Sequence, residues 1–205
     1  MSKLKTIDIC AEFGYEIACS IPYAYWLHDR GELGGVVTCI GMKPFYYFCD
    51  NVEEIKANGW LDYSQWECPP YREHYTDLSL SLPKKYVVIS NRYNLEHGDP
   101  PIGHFDIECL YKLFEYFKNN GYNVVYKRPN NTEFATDQNE LLDLNITANV
   151  DGQGVMTDFD LVNHYDNVFL IDDLISEIGK GYNESQLNIF ARSSGFVSMG
   201  GGSSI

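Results

Sequence analysis

The chain has 205 residues, 15 lysines and arginines against 29 aspartates and glutamates, and a formal net charge of -14. At roughly 100–200 residues per domain, this length predicts one domain, or one domain with a small appendage. A hydrophobic content of 44% excludes a disordered chain, and the acidity argues against a nucleic-acid-binding protein, because phosphate contacts need a basic face. A small phosphorylated ligand stays compatible with this charge, since it needs only a few local cations and amides.

The first portion of the chain, residues 1–83, gives mixed signals and predicts a reduced α/β unit. Its helical stretch contains Pro22, which we expect to break the helix. The expected elements are strands over 6–11 and 36–40, a candidate strand over 45–48, and helices over 15–27 and 52–57.

The second portion, residues 84–205, alternates continuous apolar runs with segments of helical spacing. Runs of this kind are typical of parallel strands that are buried on both faces. We expect Thr157 to cap one helix and Asn183 to open a capping box on another. The alternation predicts right-handed βαβ units and a mainly parallel sheet flanked by helices. The expected strands cover 86–90, 123–127, 167–171 and 196–199, and the expected helices cover 104–120, 158–164 and 183–194, with a weak helix over 138–144.

The six cysteines stand singly in apolar or aromatic stretches, without CxxC or any paired metal-ligand spacing. We therefore expect thiols in a reducing compartment, with no zinc site and no disulfide framework. The N-terminus lacks a long apolar segment, and no apolar run approaches about 20 residues, so we expect a cytoplasmic protein without a transmembrane segment.

Cationic and glycine-rich segments follow the strands of the second portion. Arg92 and Arg128, two of only five arginines, each come just after a predicted strand, and a glycine-serine run follows the last one. Each feature alone is more often a solvated loop residue or a linker. Because ligands bind beyond the carboxyl ends of parallel strands, the coincidence predicts an anion site suited to a diphosphate. The run contains Gly201, Gly202, Ser203 and Ser204.

Two other patterns bear on catalysis. Asp158-Phe159-Asp160 has the DxD spelling of metal-dependent sugar transferases, but both acids also fall where a helix N-terminus favours negative charge, and we prefer this capping interpretation. Glu12 follows the first strand, beside Gly14, where a carboxylate can face a cleft as a general base. Glu16 lies on the following helix and is either a second candidate base or a core-edge or surface group.

The glycine run matches neither a Walker loop nor GxGxxG, which excludes the simplest kinase, NTPase and dehydrogenase interpretations.

Three segments together carry a resemblance to a known family: Tyr86-Val-Val-Ile-Ser-Asn-Arg-Tyr-Asn, Asn123-Val-Val-Tyr-Lys-Arg-Pro and Phe196-Val-Ser-Met-Gly-Gly-Gly-Ser-Ser. This order resembles the donor-binding, Rossmann-like half of GT-B glycosyltransferases, and more narrowly poorly characterised bacterial and large-algal-virus members. The similarity covers 84–204, and loosely 6–30, where Asp8-Ile-Cys-Ala-Glu-Phe-Gly-Tyr-Glu resembles their first strand and turn.

The resemblance implies a hexosyl- or deoxyhexosyltransferase that moves a monosaccharide from a nucleotide-diphosphate sugar to a glycan hydroxyl, without an essential metal. Carried over by position, Glu184 approaches the nucleotide ribose and Glu12 or a neighbour faces the acceptor. Gly14, Gly201 and Gly202 belong to the expected donor-binding set. The residues expected to hold the diphosphate are Arg92, Arg128, Ser203 and Ser204.

The chain departs from the family pattern in size, because a GT-B enzyme normally has two Rossmann-like domains. We therefore expect 1–83 to be a reduced acceptor-side portion and 84–205 to bind the donor. No helix follows the glycine run, so we expect a domain excised from a longer polypeptide, whose other domains are then partners, or a truncated product. The alternatives are a metal-dependent transferase that uses Asp158 and Asp160, a non-catalytic nucleotide- or carbohydrate-binding module, and a purely structural domain.

Overall fold

The computed structural model describes residues 4–8, 13–55, 65, 67–77, 79–91, 104–128, 147–150, 152 and 154–199. Within these ranges the chain forms two parallel sheets with helices packed against them, which confirms the predicted α/β class. No helix in these ranges combines the length and the apolar composition that a membrane span requires.

The first sheet has the order β1-β2-β3, with strands Lys5–Asp8, Leu33–Cys39 and Val52–Ile55, all parallel. Two predictions are wrong here. The candidate strand over 45–48 is instead the end of a 3₁₀ helix, Lys43–Tyr46, and the turn that follows it, which suits a proline in the first turn of the helix. The charged helix near 52–57 is instead the edge strand β3, because pairing with β2 supplies backbone hydrogen bonds that outweigh the local helix propensity of its two glutamates.

The helix after β1 changes its hydrogen-bond register along its length. It consists of α1 (Phe13–Tyr15), a π-helical turn (Glu16–Ser20) and α2 (Ile21–Asp29). Pro22 does not break it, contrary to the prediction. A proline in the first turn is tolerated, and the wider π turn precedes it directly. The short helix α3 (Tyr71–His74) follows later in the chain.

The second sheet has the order β8 (Val168–Leu170), β5 (Asn123–Lys127), β4 (Tyr86–Ser90) and β9 (Gly195–Ser198), again all parallel. Alternate residues of the central strands face two different cores. On one face Val87 and Val124 pack with α4 (Ile107–Asn119) and α5 (Asp158–Asn163). On the other face Val88 and Val125 pack with α6 (Ile171–Ile178) and α7 (Tyr182–Arg192). All four strands lie close to their predicted ranges.

Helix ends were predicted with mixed success. Thr157 caps α5 as expected, with Asp160 completing a capping box. The capping box predicted at Asn183 is wrong, since α7 begins at Tyr182 and no side chain caps it. Helix α6 was not predicted, and the short hairpin β6 (Ala148–Asn149) and β7 (Val155–Met156) was also missed. The weak helix expected over 138–144 lies outside the described residues.

The cysteines depart from the expectation at one position. Cys39, the last residue of β2, is disulfide-bonded. The prediction of thiols only is therefore wrong at Cys39. The spacing of cysteines in the sequence could not reveal this disulfide bond, because the fold determines which cysteines lie close enough to form one. Those that form no disulfide are Cys19, Cys49, Cys68 and Cys109.

Helix α7 connects the two sheets. Leu187 and Ala191 pack in the core of the first sheet, whereas Ile189 packs in a core of the second. The Tyr86 hydroxyl donates to the carbonyl of Ile189 at 2.6 Å, and the Asn183 amide donates to the carbonyl of Gly41 at 2.7 Å. Helix α7 therefore packs against both halves of the protein, the first half built on the sheet β1-β2-β3 and the second half on the sheet β8-β5-β4-β9. The boundary expected at residue 83 stays a prediction.

Candidate functional site

The carboxyl ends of three strands lie side by side in the second sheet. Ser90 of β4 pairs with Lys127 of β5 on one side and with Ser198 of β9 on the other. The segments that follow these strands therefore leave the same edge of the sheet, which we call the carboxyl rim (Ser90, Lys127 and Ser198). Several predicted site residues lie outside the described residues: Glu12, Arg92, Gly201, Gly202, Ser203 and Ser204.

Arg128 leaves the carboxyl rim directly after β5, but its side chain turns into the protein. Its Nη1 lies 2.8 Å from Oδ1 of Asp158, and the two side chains are 5% and 1% exposed. The guanidinium carbon lies 4.7 Å from the ring centroid of Phe159. The charge that was predicted to meet a diphosphate is thus largely balanced by a buried carboxylate.

A polar network runs beneath the carboxyl rim. The Asn91 amide donates to the Tyr126 hydroxyl at 3.1 Å, and this hydroxyl donates to Oδ2 of Asp158 at 2.8 Å. Asn91 also donates to the carbonyl of Phe105 and accepts from its N–H. Burial raises the pKa of Asp158, although the Tyr126 hydrogen bond and the Arg128 charge act in the opposite direction. Because its members bond one another, the network fixes the ends of β4 and β5.

The two acids of the DxD spelling have different partners. Asp160 accepts from the N–H and the hydroxyl of Thr157 at 2.9 and 2.8 Å, and these bonds lower its pKa. The capping interpretation is therefore confirmed for Asp160, whereas Asp158 is engaged with Arg128 and Tyr126. Across the ranges that the structure describes, no group of three or more His, Cys, Asp or Glu side chains is arranged to hold a metal ion.

Glu16 is sealed in the core of the first half. It is 0% exposed, and its Oε1 accepts hydrogen bonds from the hydroxyls of Thr38 and Tyr46, the latter at 3.0 Å. Its Oε2 has no hydrogen-bond partner among the described residues. Burial raises the pKa of Glu16 to about 7 against the lowering effect of the two hydroxyls. Glu16 lies on the π turn, a feature that is frequent at functional sites.

Gly14 and Glu184 both lie on helices. Gly14 lies inside α1 rather than in a turn, because the helix already begins at Phe13. Glu184 lies in the first turn of α7, where its Oε1 is 3.0 Å from Nζ of Lys180. Since α7 leads into the parallel strand β9, its first turn lies toward the carboxyl edge of the sheet, as a ribose contact would need.

A cavity of about 660 Å³ lies between the two halves. Phe13, Ile17 and Phe45 form part of its wall from the first half, and Leu187, Phe190 and Phe196 from the second. Lys127 of the carboxyl rim also lines it, so the cavity extends to the rim. Sequence reasoning missed this cavity, since its walls come from segments more than 100 residues apart.

No carboxylate or imidazole stands among the described residues that line the cavity. Glu16 is not a lining residue, although Phe13 and Ile17 on either side of it are. Most of the described wall is apolar and suits an apolar group, although Arg72 and Lys127 also line it.

Comparisons of the chain with protein-family models, with curated proteins and with solved structures find no match.

Replacement of Glu16 tests its buried carboxyl. In the unfolded chain its pKa is near 4.5, so between about pH 4.5 and 7 the folded state binds more protons than the unfolded state. Protonated Glu16 therefore stabilises the folded state fully below pH 4.5. This stabilisation falls by about 3 kcal/mol as the pH rises to 7, at 1.36 kcal/mol per pKa unit. Urea unfolding should show that Glu16→Gln lacks this loss, so its stability relative to the parent rises from pH 4.5 to pH 8.

The control is Glu53→Gln, which changes an exposed glutamate of β3 and should keep the parent's pH dependence. If Glu16→Gln also keeps it, Glu16 is not the group that titrates in this window.

A second prediction concerns the buried pair. Arg128→Met leaves Asp158 without its cation and should reduce the free energy of unfolding by about 3–5 kcal/mol. Arg128→Met/Asp158→Leu should cost less than Arg128→Met alone, because no unpaired carboxylate remains. The matched control is Lys112→Met, which removes the exposed pair between Lys112 and Glu108 and should change stability by under about 1 kcal/mol. Equal urea unfolding of Arg128→Met and Lys112→Met would contradict the assignment.

Proposed function

We propose that this chain is a GT-B-like glycosyltransferase that takes a monosaccharide from a nucleotide-diphosphate sugar and transfers it to an acceptor hydroxyl. The observation that carries the proposal is the alignment of three adjacent parallel strand ends at Ser90, Lys127 and Ser198. An arginine or a glycine-serine run follows each of these ends in sequence. Diphosphate oxygens suit such an edge, because arginine and unobstructed backbone N–H groups donate to them.

We propose unequal roles for the two arginines, which the buried ion pair of Arg128 supports. Since Arg128 pairs with Asp158, its side chain mainly stabilises the carboxyl rim, and Arg92 is the principal cation of the proposed site. The network through Asn91 and Tyr126 supports this rim from below. A rim whose geometry is already fixed loses less entropy when it binds a diphosphate.

The cavity supports an acceptor site next to the donor site. It lies between the two sheets and includes Lys127 of the carboxyl rim. In the proposed reaction, positioning and stabilisation of the leaving diphosphate supply most of the acceleration. The proposed general base is Glu12, which follows β1 in sequence, whereas Glu16 holds the π turn that carries part of the wall.

One observation favours a second candidate function, a nucleotide- or carbohydrate-binding module without catalysis. The described wall of the cavity has no carboxylate or imidazole, and both are the usual general bases. A module of this kind binds the donor but does not turn it over, and Glu12→Gln leaves its donor affinity unchanged. Radiolabelled sugar transfer or donor hydrolysis separates the two functions.

The donor site is tested by binding. A thermal-shift screen with UDP, GDP, TDP, ADP and CMP, with and without Mn²⁺, should identify a nucleotide that stabilises the chain without the metal. By calorimetry, Arg92→Ala should weaken its binding by about 1.5–3 kcal/mol, the scale of a charge-assisted hydrogen bond.

The control variant is Arg30→Ala, which removes an arginine that packs on Trp26 at the end of α2. It should bind like the parent. The proposed site is misplaced if Arg92→Ala also does so, and a nucleotide that binds only with Mn²⁺, with loss of activity in EDTA, would favour the metal-dependent transferase instead.

A further inference from the structure

We infer that the cavity between the two sheets binds an apolar molecule that carries one carboxylate, such as the ionised form of an aromatic or long-chain carboxylic acid. Its volume of about 660 Å³ lies within the range of small-molecule sites. Four phenylalanines line it, Phe13 and Phe45 from the first half and Phe190 and Phe196 from the second. Their rings favour a flat or extended apolar body.

The charged residues of the described wall are all cationic. Arg72 of α3 and Lys127 at the end of β5 line the cavity, whereas no aspartate or glutamate does so among the residues that the structure describes. The charge of this wall is therefore opposite in sign to the net charge of the chain, which is -14. A ligand in the cavity meets a locally positive potential, which favours an anion.

Arg72 is the residue that we assign to direct contact with the carboxylate. It lies where the cavity opens to solvent, because it is an exposed residue that also lines the wall. Its guanidinium makes no hydrogen bond, ion pair or ring contact with any residue that the structure describes. A guanidinium presents its N–H donors as a planar fork that matches the two oxygens of a carboxylate, so one such fork suits one carboxylate.

Lys127 strengthens the attraction from a more buried position in the same wall. It is 4% exposed, and its Nζ lies 5.4 Å from the ring centroid of Phe190, which also lines the cavity. Because a buried charge is screened less than an exposed one, this ammonium group favours an anion in the cavity without touching it.

The other polar side chains of the described wall are neutral: Cys68, Tyr71, Gln186 and Ser193. The Ser193 hydroxyl donates to the carbonyl of Phe190 at 2.8 Å. The Tyr71 hydroxyl donates to the carbonyl of Phe45 at 3.1 Å. The amide oxygen of Gln186 is buried, so it offers no contact to a ligand. A glycan would bring many hydroxyls to a wall with few groups to receive them, so an apolar carboxylate fits better than the glycan acceptor expected from the sequence.

Binding of such a carboxylate does not depend on the transferase activity. A role as the sugar acceptor rests on the proposed function, in which a molecule of this class would supply the acceptor hydroxyl in place of the glycan. The experiment therefore measures binding alone, without a nucleotide, so failure of the donor site leaves it interpretable.

The probes are 2-naphthoate and 2-naphthamide, which have the same rings and nearly the same shape but differ in charge. Both should bind the full chain in equilibrium dialysis, and the carboxylate should bind more tightly. Arg72→Met keeps an extended side chain but removes the guanidinium, so it should weaken 2-naphthoate relative to 2-naphthamide by about tenfold. This is the lower end of the range for a charge-assisted hydrogen bond, as expected for an exposed arginine.

Three further variants complete the test. Arg30→Met removes another exposed arginine, which is not a described lining residue, and should keep both affinities of the parent. Arg92→Ala, which alters the proposed donor site, should also keep them. Ala191→Phe introduces a ring into the cavity and should weaken both probes by more than tenfold, with folding checked by circular dichroism.

The inference is overturned if 2-naphthoate does not bind the parent, if Ala191→Phe binds both probes like the parent, or if Arg72→Met keeps the parent's preference for the carboxylate. It is also overturned if Arg92→Ala or Arg30→Met loses this preference instead, because the carboxylate then binds at a different arginine.

Discussion

The structure depends on one helix that is shared by two hydrophobic cores. Leu187 on α7 is buried against the first sheet and Ile189 against the second. Separation of α7 from either half would therefore expose apolar surface to water. Hydrogen bonds from Tyr86 and Asn183 fix the helix to β4 and to the loop after β2. Because α7 also carries Gln186, Leu187 and Phe190 of the cavity wall, the constraint that joins the halves also shapes the space between them.

Each half contains a buried carboxyl with hydroxyl partners. Glu16 meets Thr38 and Tyr46 in the first half, and Asp158 meets Tyr126 and the guanidinium of Arg128 in the second. Burial raises the pKa of both carboxyls. Their surroundings assign different roles, because one stabilises a π turn beside the cavity and the other stabilises the carboxyl rim, and neither lines the cavity.

The sequence predicted best what is encoded locally. Continuous apolar runs located the strands of the second sheet, and Thr157 located the start of α5, since a cap acts within a single turn. Edge strand β3 and the 3₁₀ helix were missed, because pairing with β2 and a proline-bearing first turn outweighed local preference. Arg128 was placed correctly at the end of a strand, but its partner lies 30 residues away. Because side chains alternate along a strand, Arg128 and Tyr126 lie on the same face of the sheet. This alternation could have indicated from the sequence that Arg128 turns toward α5.

The central claim is that the carboxyl rim of the second sheet binds the diphosphate of a nucleotide. It is tested most directly by amide NMR of the ¹⁵N-labelled chain, titrated with each nucleoside diphosphate in turn. The account predicts saturable shift changes centred on Ser90, Asn91 and Arg128, and on Ser198 at the end of β9. Changes confined to the ends of β1, β2 and β3, or none with any nucleotide, would contradict it.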